Sequence, residues 1–130
     1  MIVLDASIVV ELLTHGALAD SLRRDLAGSS DSCIVPHLLD VEVASALRKL
    51  AAAQRIDSHR SEEFLAGLAA LPAQRYSHIP LLARIWKLRH NFTAYDAAYI
   101  ALAEATNSVL YTSDEKLCKG HGARVALFRH

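Results

Sequence analysis

Cysteine is scarce in this chain, aromatics are few and neither sign of charge is in excess. Each shortage closes off a class of function. Cys33 and Cys118 are the only cysteines in 130 residues, too few and too far apart for a disulfide framework. Cys33 opens the apolar run Cys33-Ile34-Val35 and reads as a packing residue. Seven histidines are present, but none has the HExxH spacing or the CxxC partners of a zinc site. The 14 basic side chains are balanced by 14 acidic ones, so the whole chain lacks the basic signature of a simple electrostatic nucleic-acid binder. Aromatics at 6% are too thin for an extended base-stacking platform. No apolar run approaches the length of a membrane span, and Met1 leads straight into a strand-like run without the basic stretch of a secretory signal. The expectation is one soluble, cytoplasmic domain over 1–130, large enough to bury roughly two-thirds of its unfolded surface.

What remains is an alternation of short apolar runs with longer helical patterns, the mark of an α/β domain with a mainly parallel sheet. Strands are expected over Ile2 to Asp5, Cys33 to Val35, Arg75 to Ile79, Val109 to Tyr111 and Val125 to Phe128. Their brevity and β-branched content suit strands covered on both faces. Ser7 is placed as the cap of a short helix through Leu13, and a second helix over Ala17 to Ala27. Pro36 is read as the start of a long helix to about Gln54. Asp57 or Ser58 begins another, stopped near Leu71-Pro72. Pro80 opens a helix to His90, Thr93 caps one through Thr106, and a short helix follows Asp114.

Within this frame, Asp5, Glu42, Asp96 and Asp114 each sit where a hydrophobic segment meets a turn or polar edge. None has an obvious basic partner close by in sequence. Acids left beside apolar surface are costly unless a positive group joins them, and a metal ion is the simplest candidate. In open parallel folds, ligands bind beyond the carboxyl ends of the strands, where Asp5 and Asp114 are expected. Each acid also has an ordinary explanation. Asp5 and Asp114 suit helix starts, Thr93-Ala94-Tyr95-Asp96 matches a capping box, and Glu42 borders the buried stripe of Leu39, Val43, Ala46, Leu47 and Leu50. Asp40 falls on the opposite border of that stripe, away from Glu42. Glu11 lies in the apolar Ile8 to Leu13 stretch and is not placed in the site. His37 reads as a turn residue, and Gly120-His121-Gly122 is too short for a phosphate-cradling loop.

Taken in order, four segments point to one family. Ile2-Val3-Leu4-Asp5-Ala6-Ser7 resembles the opening of PIN domains, where an aspartate ends the first strand and a small polar residue follows two places later. Pro36 to Leu47 resembles the second motif, with Glu42 in the acidic place. Tyr95-Asp96-Ala97-Ala98-Tyr99-Ile100-Ala101-Leu102-Ala103 is similar to the third and Leu110-Tyr111-Thr112-Ser113-Asp114-Glu115-Lys116-Leu117 to the fourth. The likeness spans essentially the whole chain, and at this size it most resembles the VapC toxins of bacterial toxin–antitoxin pairs.

That resemblance implies a PIN-like three-layer sandwich with a parallel sheet in the order 3-2-1-4-5. It also implies a Mg²⁺- or Mn²⁺-dependent endoribonuclease, a homodimer, and a cognate VapB-like antitoxin. Asp5 and Asp96 would be the main metal ligands, Asp114 would complete the site or help hold a second ion, and Glu42 would hold or orient the attacking water. Ser7 and Thr112 would support through their hydroxyls. All-oxygen ligation suits the hard ions rather than zinc. Lys87, Arg89, Lys116 and Lys119 are candidates for a basic rim, and Phe64 and Leu68 for an exposed dimer surface. Two rivals stand beside this reading. One is an acid-lined binding module without catalysis. The other is a Mg²⁺-dependent phosphatase of another α/β family, although the haloacid dehalogenase type needs a second acid where Ser7 stands.

Overall fold

A computed structural model describes residues 1–129. Five strands, β1 (Ile2–Leu4), β2 (Cys33–Pro36), β3 (Ala73–Tyr76), β4 (Val109–Thr112) and β5 (Arg124–Leu127), form one sheet. They lie in the order β3-β2-β1-β4-β5, and every neighbouring pair is parallel. Six helices connect them: α1 (Ala6–Thr14), α2 (Ala19–Ala27), α3 (Leu39–Ala52), α4 (Ser61–Ala69), α5 (Leu82–Lys87) and α6 (Ala94–Thr106). The fold class and strand order are those implied by the family resemblance.

Strand β1 is the centre of the sheet. Ile2, Val3 and Leu4 are all buried, as a strand paired and covered on both faces requires. The chain steps from β1 to β2 to β3 in one direction and then crosses back past both to β4. With right-handed crossovers, this reversal sends α6 to the other face of the sheet from α1. Helix α6 contacts β1, β2 and β4. Its residues Ala97 through Ala103 are all buried, and its alanines let helix and sheet approach closely. Among the described residues no helix is long and apolar enough to cross a membrane.

Several expected boundaries move, each for a physical reason. Asp5 rather than Ser7 caps α1, accepting from the Ile8 N–H. Pro36 closes β2 instead of opening α3. It lies beyond the two β1–β2 register pairs, so its missing N–H costs no ladder bond there. Strand β3 runs over Ala73–Tyr76 rather than Arg75 to Ile79, because α4 already ends at Ala69 and the Ala73 N–H bonds the Leu71 carbonyl. Pro80 sits in a 3-10 turn, Ile79–Leu81, and α5 stops at Lys87. Asp57 caps a separate 3-10 turn ahead of α4. Phe64 and Leu68 are not exposed: at 3% and 6% they belong to the core, turned inward where α4 packs against α1. The outward apolar residue of that helix is Leu65. Cys33 and Cys118 are both free, and Cys33 packs against the core.

Candidate active site

All four acids stand at the carboxyl edge of the sheet. Asp5 follows β1 and Asp114 follows β4, the adjacent strands between which the chain's direction across the sheet reverses. Leu4 is in register with Tyr111, which sets Asp5 beside Thr112. Glu42 lies in the first turn of α3 and Asp96 in the first turn of α6. Helix α3 follows β2 out of this edge, and α6 follows α5 and leads from this edge back to the start of β4.

Asp5 is the most deeply fixed of the four, 5% exposed. Its Oδ1 accepts from the Ser7 hydroxyl at 2.6 Å and from the Ile8 N–H at 3.1 Å, and its Oδ2 from the Thr112 hydroxyl. The two hydroxyls carry the network onward. Ser7 Oγ accepts from the Ser113 N–H at 3.1 Å, and Thr112 Oγ1 from the Asp114 N–H at 3.0 Å. The loop after β4 is thereby tied to the end of β1, and Asp114 Oδ1 in turn accepts from the Lys116 N–H at 3.0 Å.

Glu42 is held from across the domain. Its Oε1 accepts from the Tyr99 hydroxyl at 2.6 Å, and Tyr99 is buried in α6. Burial, then this hydrogen bond, push the Tyr99 phenol far above its ordinary range, so it remains a donor. Tyr99 was not among the candidate residues read from the sequence. It lies three residues past Asp96, one helical turn along, and that spacing was the available signal. Asp96 follows the Thr93 cap, whose hydroxyl accepts from the Asp96 N–H at 3.1 Å.

Electrostatics show which acids feel one another. Burial raises the carboxyl pKa of Asp5 above the ordinary carboxylate value; its hydrogen bonds work against this, and Asp96 adds to it. Burial also raises Glu42, which feels Asp96 and Asp5. Asp96 is raised by burial and by Asp114, with the Thr93 hydroxyl and Lys116 opposing. Asp96 thus bears on both Asp5 and Glu42, Asp5 bears on Glu42, and Asp114 bears on Asp96. None of the four is in an ion pair among the described residues. Nor are any three His, Cys, Asp or Glu side chains among those residues gathered tightly enough to cage an ion unaided.

Other polar residues have separate work. Asp40 accepts from Arg75 at 2.7 and 3.2 Å, and that guanidinium also bonds the carbonyls of Leu68, Leu71 and Ala73. Glu11 accepts from the Leu18 N–H. The His37 N–H bonds Tyr76, and His121 bonds the Leu117 carbonyl. Of the rim candidates, Lys116 reaches the field of Asp96. Arg89 lies over the Trp86 ring at 4.4 Å, and Lys87 and Lys119 are exposed.

Fold and acids define the class, a parallel α/β domain with acids at the carboxyl edge around its β1–β4 switch point. The chain belongs to the PIN domain family, whose model matches residues 2–121. It is 42% identical over 117 residues to ribonuclease VapC9 of Mycobacterium tuberculosis, covering 90% of this chain and 88% of that protein. Among solved structures it is similar to VapC20 of M. tuberculosis, described as a sarcin–ricin loop cleaving toxin. That likeness has a TM-score of 0.70 at 18% identity and covers 90% of this chain and 92% of that one. It is also similar to VapBC2 of Rickettsia felis bound to a DNA fragment from its promoter, with a TM-score of 0.72 at 13% identity, covering 99% and 100%. At these identities the two structural likenesses establish the fold alone.

Proposed function

We propose that the protein is a metal-dependent endoribonuclease, the toxin of a toxin–antitoxin pair. The observation that carries this reading is the placement of Asp5, Glu42, Asp96 and Asp114 at one edge of the sheet, beyond the ends of β1 and β4 and in the first turns of α3 and α6, with none of them in an ion pair among the described residues. Its context is the similarity to VapC ribonucleases.

The donor set suits a hard divalent cation, since it offers carboxylate oxygens and no sulfur or imidazole. Mg²⁺ keeps several of its waters and takes one or two direct carboxylates, which agrees with acids that stand at one edge of the sheet without forming a cage among the described residues. When bound, Mg²⁺ or Mn²⁺ would lower the pKa of the attacking water and offset charge growing on the phosphate. Asp5 and Asp96 would hold the ion, and Asp114 would complete the site. Ser7 and Thr112 keep the Asp5 carboxylate fixed as it does so. Glu42, with Oε1 occupied by Tyr99, has Oε2 left to orient water and accept its proton. Attack on phosphorus breaks the bond to the 3′ oxygen, which takes a proton from solvent, leaving a 5′ phosphate and a 3′ hydroxyl.

In this reading the protein works in the cytoplasm, where a VapB-like antitoxin would restrain it, as the pairing in the Rickettsia VapBC2 structure suggests. A homodimer would use exposed apolar residues such as Leu65, Leu82 and Trp86 in place of Phe64 and Leu68. A monomer-sized mass in solution would remove that part of the proposal.

The test is cleavage of total cellular RNA with Mg²⁺ or Mn²⁺, and with chelator, by wild type and by Glu42→Gln and Asp96→Asn. These variants keep side-chain shape and avoid the folding loss expected from truncating the buried Asp5. Metal-dependent fragments with 5′ phosphates that vanish in both folded variants are the expected result. Cleavage that survives both substitutions would overturn the assignment, and absence of any cleavage would favour the binding-module rival.

A further inference from the structure

We propose that the cavity between α3 and Tyr95 is a subsite for one unpaired nucleotide of the RNA, adjacent to the scissile phosphate. The proposal rests on the ribonuclease reading and deepens it. The cavity holds about 500 Å³ and is lined by Leu38, Val41, Glu42, Ser45, Lys49 and Tyr95, among others. That size and mixture, apolar walls with a few polar groups, is typical of a small-ligand site.

Its position ties it to the reacting centre. Glu42 forms one wall and is the same acid that feels Asp5 and Asp96. Tyr95, the residue before Asp96, forms another. An occupant of this cavity is therefore a next neighbour of whatever lies over the acids, and on a nuclease that neighbour is a flanking nucleotide.

Its chemistry matches the parts of a nucleotide. Tyr95 is 62% exposed and Val41 75%, so an aromatic ring and a β-branched side chain stand in solvent where the core does not need them. A base stacks on such a ring, which is how unpaired RNA is commonly held. Val41, Ser45 and Lys49 follow at i, i+4 and i+8, one above another on a single helix face. The Ser45 hydroxyl can meet a base edge or ribose. Lys49 carries no ion pair among the described residues and stands about 10 Å along the helix axis from Glu42. A cation set back from the acids is what a polyanion needs to stay attached to an acidic crevice. A peptide could use the apolar wall. The shared Glu42, the presented ring and the unpaired lysine together favour RNA.

The test uses a set of short, unstructured oligoribonucleotides with 2-aminopurine at successive positions, mixed with wild type, Tyr95→Ala, Tyr95→Trp and Lys49→Gln. Tyr95 is exposed, so its substitution spares the core, and melting curves check this. Binding in Ca²⁺ should quench emission at one position with wild type and Tyr95→Trp, and not with Tyr95→Ala. Cleavage kcat/KM in Mg²⁺ should fall about 5- to 150-fold in Tyr95→Ala, the range that stacking of one base supplies. The loss should be mostly in KM, and Tyr95→Trp should restore it. An abasic nucleotide at the quenched position should impair wild type similarly and add nothing to Tyr95→Ala. Lys49→Gln should weaken binding and flatten its salt dependence.

Three outcomes overturn the proposal. If wild type cleaves through its acids while Tyr95→Ala quenches and cleaves equally well, the subsite is refuted and the ribonuclease reading stands. If Tyr95→Ala splits an oligomer by mass, the face is a protein contact. If wild type neither binds nor cleaves any RNA, the subsite and the ribonuclease reading fail together.

Discussion

Tyr99→Phe isolates what the phenol does for Glu42. The ring is 1% exposed, and phenylalanine refills its space without adding volume. What disappears is a 2.6 Å hydrogen bond to a carboxylate. Hydrogen bonds to charged groups are worth about 1.5–3 kcal/mol. Glu42 is only half-buried, so water recovers part of that, leaving about 1–2 kcal/mol of lost positioning. If the bond matters mainly in the transition state, the loss appears as a kcat about 5- to 30-fold lower with KM nearly unchanged. Folding stability should change by about 1 kcal/mol or less, because the carboxylate can rehydrate. Glu42→Gln provides the contrast. Its amide oxygen can still accept from Tyr99, yet the charge is gone, so its loss should reach about 100-fold or more. Steady-state cleavage of a defined RNA, Mn²⁺ affinity by paramagnetic resonance and urea melts read the three quantities. An unchanged kcat in Tyr99→Phe would refute the positioning role. A large fall in melting temperature that accounts for the lost activity would reduce Tyr99 to a packing residue.

Three further outcomes are expected. Thr112→Val, at a fully buried site, strands the Asp114 N–H and removes a donor from Asp5. It should cost about 2–3 kcal/mol in urea unfolding at pH 7, and a cost within experimental error would show the network to be slack. Burial holds the Asp5, Glu42 and Asp96 carboxyls above their ordinary 3.8, 4.5 and 3.8. Between those values and the raised ones the folded chain keeps protons that the unfolded chain has lost. The metal-free protein therefore loses stability from these groups as pH rises through that window. Glu63 and Glu104, lowered by Arg60 and Arg84, run the opposite way, so comparison with Asp96→Asn and Glu42→Gln isolates the effect. Mg²⁺ should raise the melting temperature increasingly as pH rises through that window and level off above it, and a shift independent of pH would contradict the site. Arg75→Met removes the Asp40 pair and the donors to three carbonyls. It should destabilise by about 2–3 kcal/mol with kcat unchanged, and a selective loss of kcat would bring Asp40 into the site after all.

The sequence carried some parts of this molecule more plainly than others. The apolar runs at Ile2, Cys33 and Val109 marked three inner strands because strands covered on both faces need continuous hydrophobic residues. Edge strand β3 is only half-buried, so its residues carry little such pattern, and the expected span slid toward Ile79. Pro36 misled because fixed φ and a missing N–H fit a helix start and a strand end equally well. Phe64 and Leu68 misled because periodicity shows that a helix has an apolar face without showing which neighbour covers it. The strand order itself came from the family resemblance and not from pattern. At the site, the acids stood out as charges beside apolar segments. Their restraints did not, because the bond from Tyr99 to Glu42 joins residues 57 apart in the chain and that from Thr112 to Asp5 joins residues 107 apart.

Capping and membership of the proposed site read from the sequence as alternatives, yet the fold lets one carboxylate serve both. Asp5 caps α1 and Asp114 caps the turn after β4, and these are the acids that follow the two adjacent strands of the switch point. A carboxylate at a helix start gains hydrogen bonds from free N–H groups and a favourable dipole. In a parallel sheet, helix starts collect at the carboxyl edge, where ligands also bind. The hydrogen bonds that fix Asp5 lower its pKa, while burial and Asp96 raise it, and burial prevails. Capping therefore supplies the aim of these side chains and part of the stability their charge removes. The uncompensated remainder is what a bound cation would relieve. A site assembled in this way should be most strained when metal-free, and the pH-dependent Mg²⁺ stabilisation measures that strain directly.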